Sequence, residues 1–324
     1  MKHVRLLASS TERLPFYLAM EEFLALRYPE DEYFFLWQVN PTVIFGRNQL
    51  IENEVNLDYV KSHGIEFYRR KSGGGCVYAD YSNIMFSFVT PHLNSNYVFD
   101  EYLGRIVGVL KSLGLPASFS GRNDILIDNL KVSGNAFYRV NNKSVVHGTM
   151  LYDTDLEVMV RAITPNNEKL LSKGIDSVRK RVTNLCEHFQ MPIEDFKKYM
   201  VTHLCDGEIT LSDEDVLAIR RIEEGYLKDD FIYGKNPKYS IIRSGRVEAG
   251  TLEISLELKN GTIKHVNILG DYFLIGDPDG FLKRLEGVKY IRQNVSDALN
   301  DVNLSDYVYN LEKSAFLDIM FQEG

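Results

Sequence analysis

Cysteine is scarce in this chain: Cys76, Cys186 and Cys205 are its only three in 324 residues. Three thiols so far apart cannot build a disulfide framework, and they lack the paired spacing of a zinc site. An excess of basic charge is also missing. The net charge of −8 argues against a nucleic-acid binder, which would present a basic face. Local clusters at Lys71 and at Arg179-Lys180-Arg181 therefore suit small anions or a solvated surface. No stretch reaches the roughly 18 to 20 apolar residues that span a bilayer. The apolar run within Met1–Ser10 is too short for a signal peptide. These absences give the expectation of a cytoplasmic protein that meets neither membrane nor nucleic acid.

What is present is ordinary globular material, 44% hydrophobic and 25% charged, at a length that favours two domains. Val4–Ala8 reads as a strand, followed by a helix from Ser10 or Thr11 to Arg27 with Pro15 near its start. β-branched and aromatic runs at Tyr33–Val39, Thr42–Gly46, Ile65–Tyr68, Cys76–Tyr78 and Ile84–Val89 read as strands. Leu57–His63 and Tyr97–Leu113 read as helices. Strands continue at Ile125–Ile127, Val132–Arg139 and Val145–Leu151, with turns at Asp128-Asn129 and Asn141-Asn142. Helices are expected to dominate from Leu156 to Leu227. The order has neither strict βαβ alternation nor a repeat, so the expected class is α+β, a mixed sheet flanked by helices.

A turn-rich segment at Phe231–Tyr239 precedes a new pattern. The expected division is a catalytic domain over 1–244 and a small α+β accessory domain over 245–324. In the latter, Thr251–Leu258 and Thr262–Leu269 form a hairpin across Lys259-Asn260-Gly261. Helices are expected at Pro278–Leu285 and Asp306–Phe316.

Two glycine-punctuated stretches carry the chemistry. The first is Arg69-Arg70-Lys71-Ser72-Gly73-Gly74-Gly75-Cys76-Val77-Tyr78. The second runs from Gly121-Arg122-Asn123-Asp124 to Lys131-Val132-Ser133-Gly134-Asn135. Glycines without Cβ atoms let backbone N–H groups converge on an anion, and arginines and a lysine lead into the turn. The second stretch adds a carboxylate and a lysine. Together they describe a pocket for a phosphate and a carboxylate at once, as activation of an acid by ATP requires. A tight turn with no ligand would account for the glycines alone, since they form neither a Walker loop nor a Rossmann fingerprint.

With His147-Gly148-Thr149-Met150-Leu151 and Lys173-Gly174-Ile175-Asp176-Ser177-Val178-Arg179-Lys180-Arg181-Val182-Thr183-Asn184-Leu185, these motifs resemble the lipoate–protein ligase A family. The resemblance covers nearly the whole chain and implies the biotin/lipoyl ligase-like fold. It also implies two steps: lipoate and ATP give lipoyl-AMP and pyrophosphate, and the lipoyl group then passes to a carrier lysine. The carriers so implied are the glycine-cleavage H protein and the E2 subunits of 2-oxoacid dehydrogenases. The enzyme is expected to act as a monomer without a tightly bound cofactor.

The resemblance assigns roles residue by residue. Lys131 is the catalytic residue, meeting both the acyl carboxylate and the adenylate phosphate. Arg70, Gly73, Gly74, Gly75, Cys76, Val77, Tyr78 and Ser133 join it around ATP and lipoyl-AMP. Arg70, Ser72, Lys131 and His147 are expected at lipoate, and Asp124 at Mg²⁺, a hard cation that favours carboxylate and phosphate oxygens. An Asx-turn carboxylate beside Asn123 and a structural histidine beneath the pocket are the alternatives for Asp124 and His147. Arg179, Lys180 and Arg181 are candidates to close over the adenylate. Phe16, Tyr17, Trp37 and Phe45 are aromatics that could equally line an apolar tunnel or the core.

Two positions depart from the family pattern: Ala79 stands where histidine is common, and Cys76 where alanine is usual. An octanoyltransferase or lipoyl amidotransferase of the same fold is the nearest rival. It would need a thioester-forming cysteine, and Thr164-Pro165-Asn166-Asn167 lacks one. A biotin ligase fits the glycine loop less well. A non-catalytic lipoate-binding regulator is a rival of a different class.

Overall fold

The computed structural model describes residues 1–6, 12–28, 31–49, 51–93, 95–120, 123–163, 178, 180–233, 241–259 and 261–322. Two compact units emerge. The first comprises Met1–Phe45, Ile51–Arg70 and Cys76–Ile232; the second comprises Gly46–Leu50, Lys71–Gly75 and Tyr233–Gly324.

The first unit is built on an eight-stranded mixed sheet among the described residues. Its strands are β1 (Lys2–Leu6), β2 (Tyr33–Trp37), β6 (Asn83–Thr90), β7 (Ala117–Phe119), β8 (Asp124–Ile127), β9 (Leu130–Val140), β10 (Lys143–Leu151) and β11 (Gly207–Leu211). They lie in the order β11-β1-β2-β6-β10-β9-β8-β7. Only β1 pairs in parallel, with β11 and with β2; the other pairs are antiparallel. A three-stranded sheet holds β3 (Thr42–Phe45) between β4 (Glu66–Arg69) and β5 (Val77–Ala79). The helices are α1 (Leu14–Arg27), α2 (Ile51–Glu54), α3 (Leu57–Ser62), α4 (Ser95–Ser112), α5 (Leu156–Ile163), α6 (Ile193–Leu204), α7 (Asp213–Tyr226) and α8 (Asp229–Ile232).

Helix α1 explains the depth of the core. Every residue from Leu14 to Ala25 is buried, so it has no polar face, as a helix covered all round requires. It packs between the large sheet and α7. Its two acidic residues diverge accordingly. Glu21 accepts hydrogen bonds from Ser87 and Tyr138 of the sheet, and Glu22 accepts one from Tyr226 of α7. Strands β6 and β10 are buried along their entire length. Met85 and Val89 of β6 join the α1 core, whereas Phe88 packs on Phe34 and on Tyr102 of α4. The β8–β9 hairpin turns through Asp128 and Asn129 at φ 49° and 65°, left-handed values that these residues tolerate.

The second unit has its own antiparallel sheet, β12 (Ile241–Val247), β13 (Gly250–Lys259) and β14 (Thr262–Gly270), with helices α9 (Asp279–Leu282), α10 (Arg292–Ala298) and α11 (Lys313–Met320). Leu252, Ile254 and Leu256 of β13 form its core with Phe281 and Phe316. Gly261 sits at φ +71° in the expected hairpin; its neighbour Asn260 lies outside the described residues.

Several expectations shift. A boundary at 244/245 would cut β12, which pairs with β13 over its full length, so the division falls after Ile232. The helical stretch over 156–227 is interrupted by β11, a short, exposed edge strand. β7 and α10 are further elements that the pattern did not single out. The last helix begins at Lys313 because Leu304–Asp306 forms a 3₁₀ turn and Val308 bridges to Leu274. The expected start of α1 at Ser10 or Thr11 lies outside the described residues.

Candidate active site

The geometry of the site begins with a defect in β9. Ser133 pairs with Ile125, but Lys131 pairs with the very next residue, Leu126, so Val132 is the extra residue of a β-bulge. Bulges re-aim neighbouring side chains. Here the Lys131 side chain lies against Gly134, and its Nζ reaches 2.8 Å from Asp124 Oδ1. Both side chains are about one-third exposed, at 38% and 29%. An ion pair this open contributes roughly 0–1 kcal/mol, so stability alone does not explain its placement.

The backbone of Lys131 is fixed on its other edge. Its N–H donates to Arg181 C=O at 2.7 Å, and Thr183 N–H donates to its C=O at 3.0 Å. A reciprocal clasp holds the loop that carries Asp124. Asn135 Nδ2 donates to Asn123 C=O at 2.8 Å, while Asn123 Nδ2 donates to Asn135 C=O at 2.9 Å.

These residues open onto a cavity of about 420 Å³ within the first unit. Asp124, Lys131, Ser133, Thr149 and Arg181 supply its polar lining. Val77 and Tyr78 of β5, Leu126 of β8, Leu151 of β10, and Met159 and Ile163 of α5 supply an apolar wall. Burial and the neighbouring Asp80 carboxylate raise the Tyr78 phenol well above its ordinary range, so it stays neutral. Burial pushes the Cys76 thiol up as well, and Glu54 adds to the rise while Arg70 opposes it.

Of the expected site residues, Cys76, Val77, Tyr78, Asp124, Lys131 and Ser133 line this one cavity. Arg70 is buried in the first unit, its Nη1 donating to Ile44 C=O at 3.1 Å. Burial lowers its pKa to about 10, which leaves it cationic at neutral pH. His147 is not in the cavity wall; its Nδ1 pairs with the buried Glu21 carboxylate at 2.9 Å. Ser72, Gly73, Gly74 and Gly75 belong to the second unit. There Arg47 N–H donates to Ser72 C=O at 2.9 Å, and Gly74 N–H donates to Tyr272 C=O at 3.0 Å.

Trp37 and Phe45 are core residues, with Trp37 stacked on Tyr17 at 4.9 Å. Ala79 is fully buried opposite Thr42. Lys180 is described and exposed, whereas Arg179 and residues 164–177 lie outside the described residues. Among the described residues no cluster of three His, Cys, Asp or Glu could hold a metal ion. Asp124 Oδ1 is nevertheless buried and, beside its ion pair, makes no directed hydrogen bond. That oxygen suits a hard cation whose other ligands are phosphate and water.

Sequence reasoning missed the apolar wall from Leu126, Leu151, Met159 and Ile163. The one available signal was the i, i+4 spacing of Met159 and Ile163, which places them on one face of α5.

Comparison with known proteins identifies the family of the chain. Residues 14–205 match the lipoyl protein ligase A/B catalytic domain, and residues 236–320 match the bacterial lipoate protein ligase C-terminus. Lipoate–protein ligase 1 of Staphylococcus aureus is 38% identical over 312 residues, covering 94% of this chain and 95% of that protein. The crystal structure of P. falciparum LipL1 in complex with lipoate shares the fold, with a TM-score of 0.78 at 24% identity over 98% of this chain and 97% of its own. A bi-partite lipoate protein ligase of Thermoplasma acidophilum, described with its E2 lipoyl domain, gives a TM-score of 0.67 at 25% identity. It covers 74% of this chain and 98% of its own.

Proposed function

This chain belongs to the lipoate–protein ligase family and is an ATP-dependent ligase, and on that premise we propose that Lys131 and Asp124 serve its acid-activating step. The observation that carries this reading is the pair itself, an ammonium 2.8 Å from a carboxylate in a cavity with an apolar wall. A carboxylate oxygen of lipoate attacks the α-phosphorus of ATP, and the bond to pyrophosphate breaks. Two anions must approach while negative charge builds at phosphorus, so a fixed cation is the main requirement. Lys131 meets both the attacking carboxylate and the α-phosphate. Val77, Tyr78, Leu126 and Met159 offer the apolar surface that a flat base needs.

Asp124 would hold Mg²⁺ arriving with ATP, and that ion would draw charge from the phosphate oxygens. Ser133 and the backbone from Cys76 to Tyr78 complete the adenylate contacts. Arg70, Ser72, Gly73, Gly74 and Gly75 are proposed to bind the lipoate and phosphate anions, and His147 to act at the lipoate. In the second step the ε-amine of a carrier lysine attacks the acyl carbon, and AMP leaves. The carriers proposed are E2 lipoyl domains and the H protein.

The thiol chemistry of the nearest rival is disfavoured. Cys76 is the only cysteine in the cavity wall, and burial raises its pKa, the reverse of what a thioester-forming nucleophile needs. The deciding experiment incubates the protein with lipoate, ATP-Mg²⁺ and an E2 lipoyl domain, and reads pyrophosphate and the intact mass of the domain. Pyrophosphate release with the gain of one lipoyl group is expected. Acylation that proceeds from an acyl carrier without ATP would overturn the reading.

A further inference from the structure

A chain of buried hydrogen bonds connects the strand of Lys131 to the strand of Tyr78 through three side chains that do not line the cavity. It starts where Thr183 N–H donates to Lys131 C=O. The next residue, Asn184, grips Thr154 on both sides. Its Oδ1 accepts from Thr154 N–H at 2.9 Å, and its Nδ2 donates to Thr154 C=O at 3.1 Å. Reversing the amide would set like against like at both contacts, so the partners fix its orientation. Thr154 Oγ1 then donates to Asn83 Oδ1, and Asn83 Nδ2 donates to Tyr78 C=O at 3.3 Å.

Asn83, Thr154, Thr183 and Asn184 are all buried. A fully satisfied buried network rigidifies what it joins, because each broken bond would leave a polar group without water. What it joins are two different sheets. Lys131 belongs to the eight-stranded sheet and Tyr78 to the three-stranded one, and both side chains line the cavity. The network thus sets the distance between the cation and the aromatic wall.

We infer that Asn184, acting through Thr154 and Asn83, is a positioning residue for adenylate formation. It holds Lys131 and Tyr78 at the separation that the α-phosphate and the base require. The inference rests on the ligase reading above and adds to it residues that never touch the substrate. A misplacement near 1 Å costs on the order of a hundredfold in rate, so a small relaxation of this chain reaches kcat directly.

The test measures pyrophosphate release with ATP and lipoate, together with the thermal midpoint, for the full-length chain and three variants. Asn184→Ala removes both contacts to Thr154. Thr154→Val removes the hydroxyl link at nearly constant volume, and Thr154→Ser keeps it. The expected result is a kcat about ten- to hundredfold lower for Asn184→Ala and Thr154→Val. The KM for lipoate should stay within about twofold, and Thr154→Ser should recover most of the rate. A purely structural role would lower the midpoint and leave kcat per folded molecule at the parental value, and that result overturns the inference. If Asn184→Ala does not fold, Thr154→Val against Thr154→Ser decides alone, with equal rates as the overturning outcome. A parent chain that releases no pyrophosphate would refute the ligase reading and the positioning role with it. That result differs from an active parent matched by equally active variants.

Discussion

The Lys131 ammonium lies directly against Gly134: a Cβ built on that glycine would stand 3.0 Å from both Cε and Nζ. The glycine is needed for the room it leaves. The atoms that would have to move are the far end of a flexible side chain, so yielding costs little stability. Yielding does, however, displace the ammonium proposed to meet both reacting anions. Gly134→Ala should therefore lower the adenylation rate by roughly tenfold while changing stability by less than about 1 kcal/mol. Pyrophosphate release and a urea melt on the same preparation check the two halves. A parental rate would mean that the lysine position is not critical to a few tenths of an ångström.

Lys131→Ala is the direct test of the cation. Its contribution is larger in the transition state than in either ground state, because charge from carboxylate and phosphate converges there. By analogy with loss of one preorganised oxyanion donor, the cost should be about 3–4 kcal/mol, or about 100- to 1,000-fold in rate. Lys131→Arg should rescue poorly, since a planar fork does not occupy the place of a compact ammonium. The partly exposed pair with Asp124 predicts a nearly unchanged melt. A folded Lys131→Ala enzyme with near-native rates would remove the lysine from the mechanism.

Gly73 and Gly75 look equivalent in the sequence but differ in their surroundings. A Cβ on Gly73 would fall 1.9 Å from the carbonyl oxygen of Tyr272, a backbone atom that cannot step aside. A Cβ on Gly75 would meet nothing within 4 Å. Gly73→Ala should thus destabilise by about 1–3 kcal/mol, the usual cost of overpacking, and Gly75→Ala by well under 1 kcal/mol. Chemical denaturation of the two variants side by side measures the contrast, and equal losses would contradict it.

The glycine loop also shows where the sequence was legible and where it was not. Its composition pointed to an anion site, yet composition does not reveal that Gly73 and Gly74 also pack against Tyr272, about two hundred residues away. The long central strands were legible because β9 and β10 carry β-branched and aromatic residues bounded by Asp128-Asn129 and Asn141-Asn142. Short edge strands such as β7 and β11 were not, because three to five half-exposed residues carry little periodic signal. Lys131 and Asp124 were named through the motifs that carry the family resemblance, but the bulge at Val132 that brings them together depends on strand register. The strap through Thr183 and Asn184 depends on pairing across more than fifty residues, which local reasoning cannot supply.

Cys76 lines the cavity, but its thiol is held protonated by burial and by the Glu54 carboxylate, with Arg70 opposing them. The sign is clear: a raised pKa keeps the thiolate scarce at neutral pH, and its fraction grows as pH rises toward the elevated value. Alkylation of Cys76 by iodoacetamide should accordingly be slow at pH 7 and should accelerate steadily up to pH 10. Because no covalent enzyme thioester enters the proposed reaction, Cys76→Ala should keep substantial ligase activity. Peptide mapping of the alkylated protein and a lipoylation assay of the variant test both statements. An acylated Cys76 in the working enzyme, with an inactive Cys76→Ala, would transfer the chain to the acyltransferase mechanism.

His147 separates a binding role from a packing role. Its Nδ1 lies 2.9 Å from Glu21 Oε1, and the same buried carboxyl accepts from Ser87 Oγ at 2.6 Å and Tyr138 OH at 3.1 Å. Ser87 Oγ in turn accepts from Trp37 Nε1 at 3.0 Å, so this polar knot ties α1 to four strands of the large sheet, β2, β6, β9 and β10. Removing the imidazole takes one hydrogen-bond partner from a buried carboxyl, at a cost of about 1–3 kcal/mol. His147→Ala should therefore lose stability by that amount. Tyr138→Phe, which removes a single donor, should lose about 1 kcal/mol. If His147 also meets the lipoate, the KM for lipoate should rise in His147→Ala at temperatures well below its melt while Tyr138→Phe leaves it unchanged. A stable His147→Ala whose only defect is a higher KM would show that the imidazole serves the substrate and that the carboxyl is held by its other hydrogen bonds.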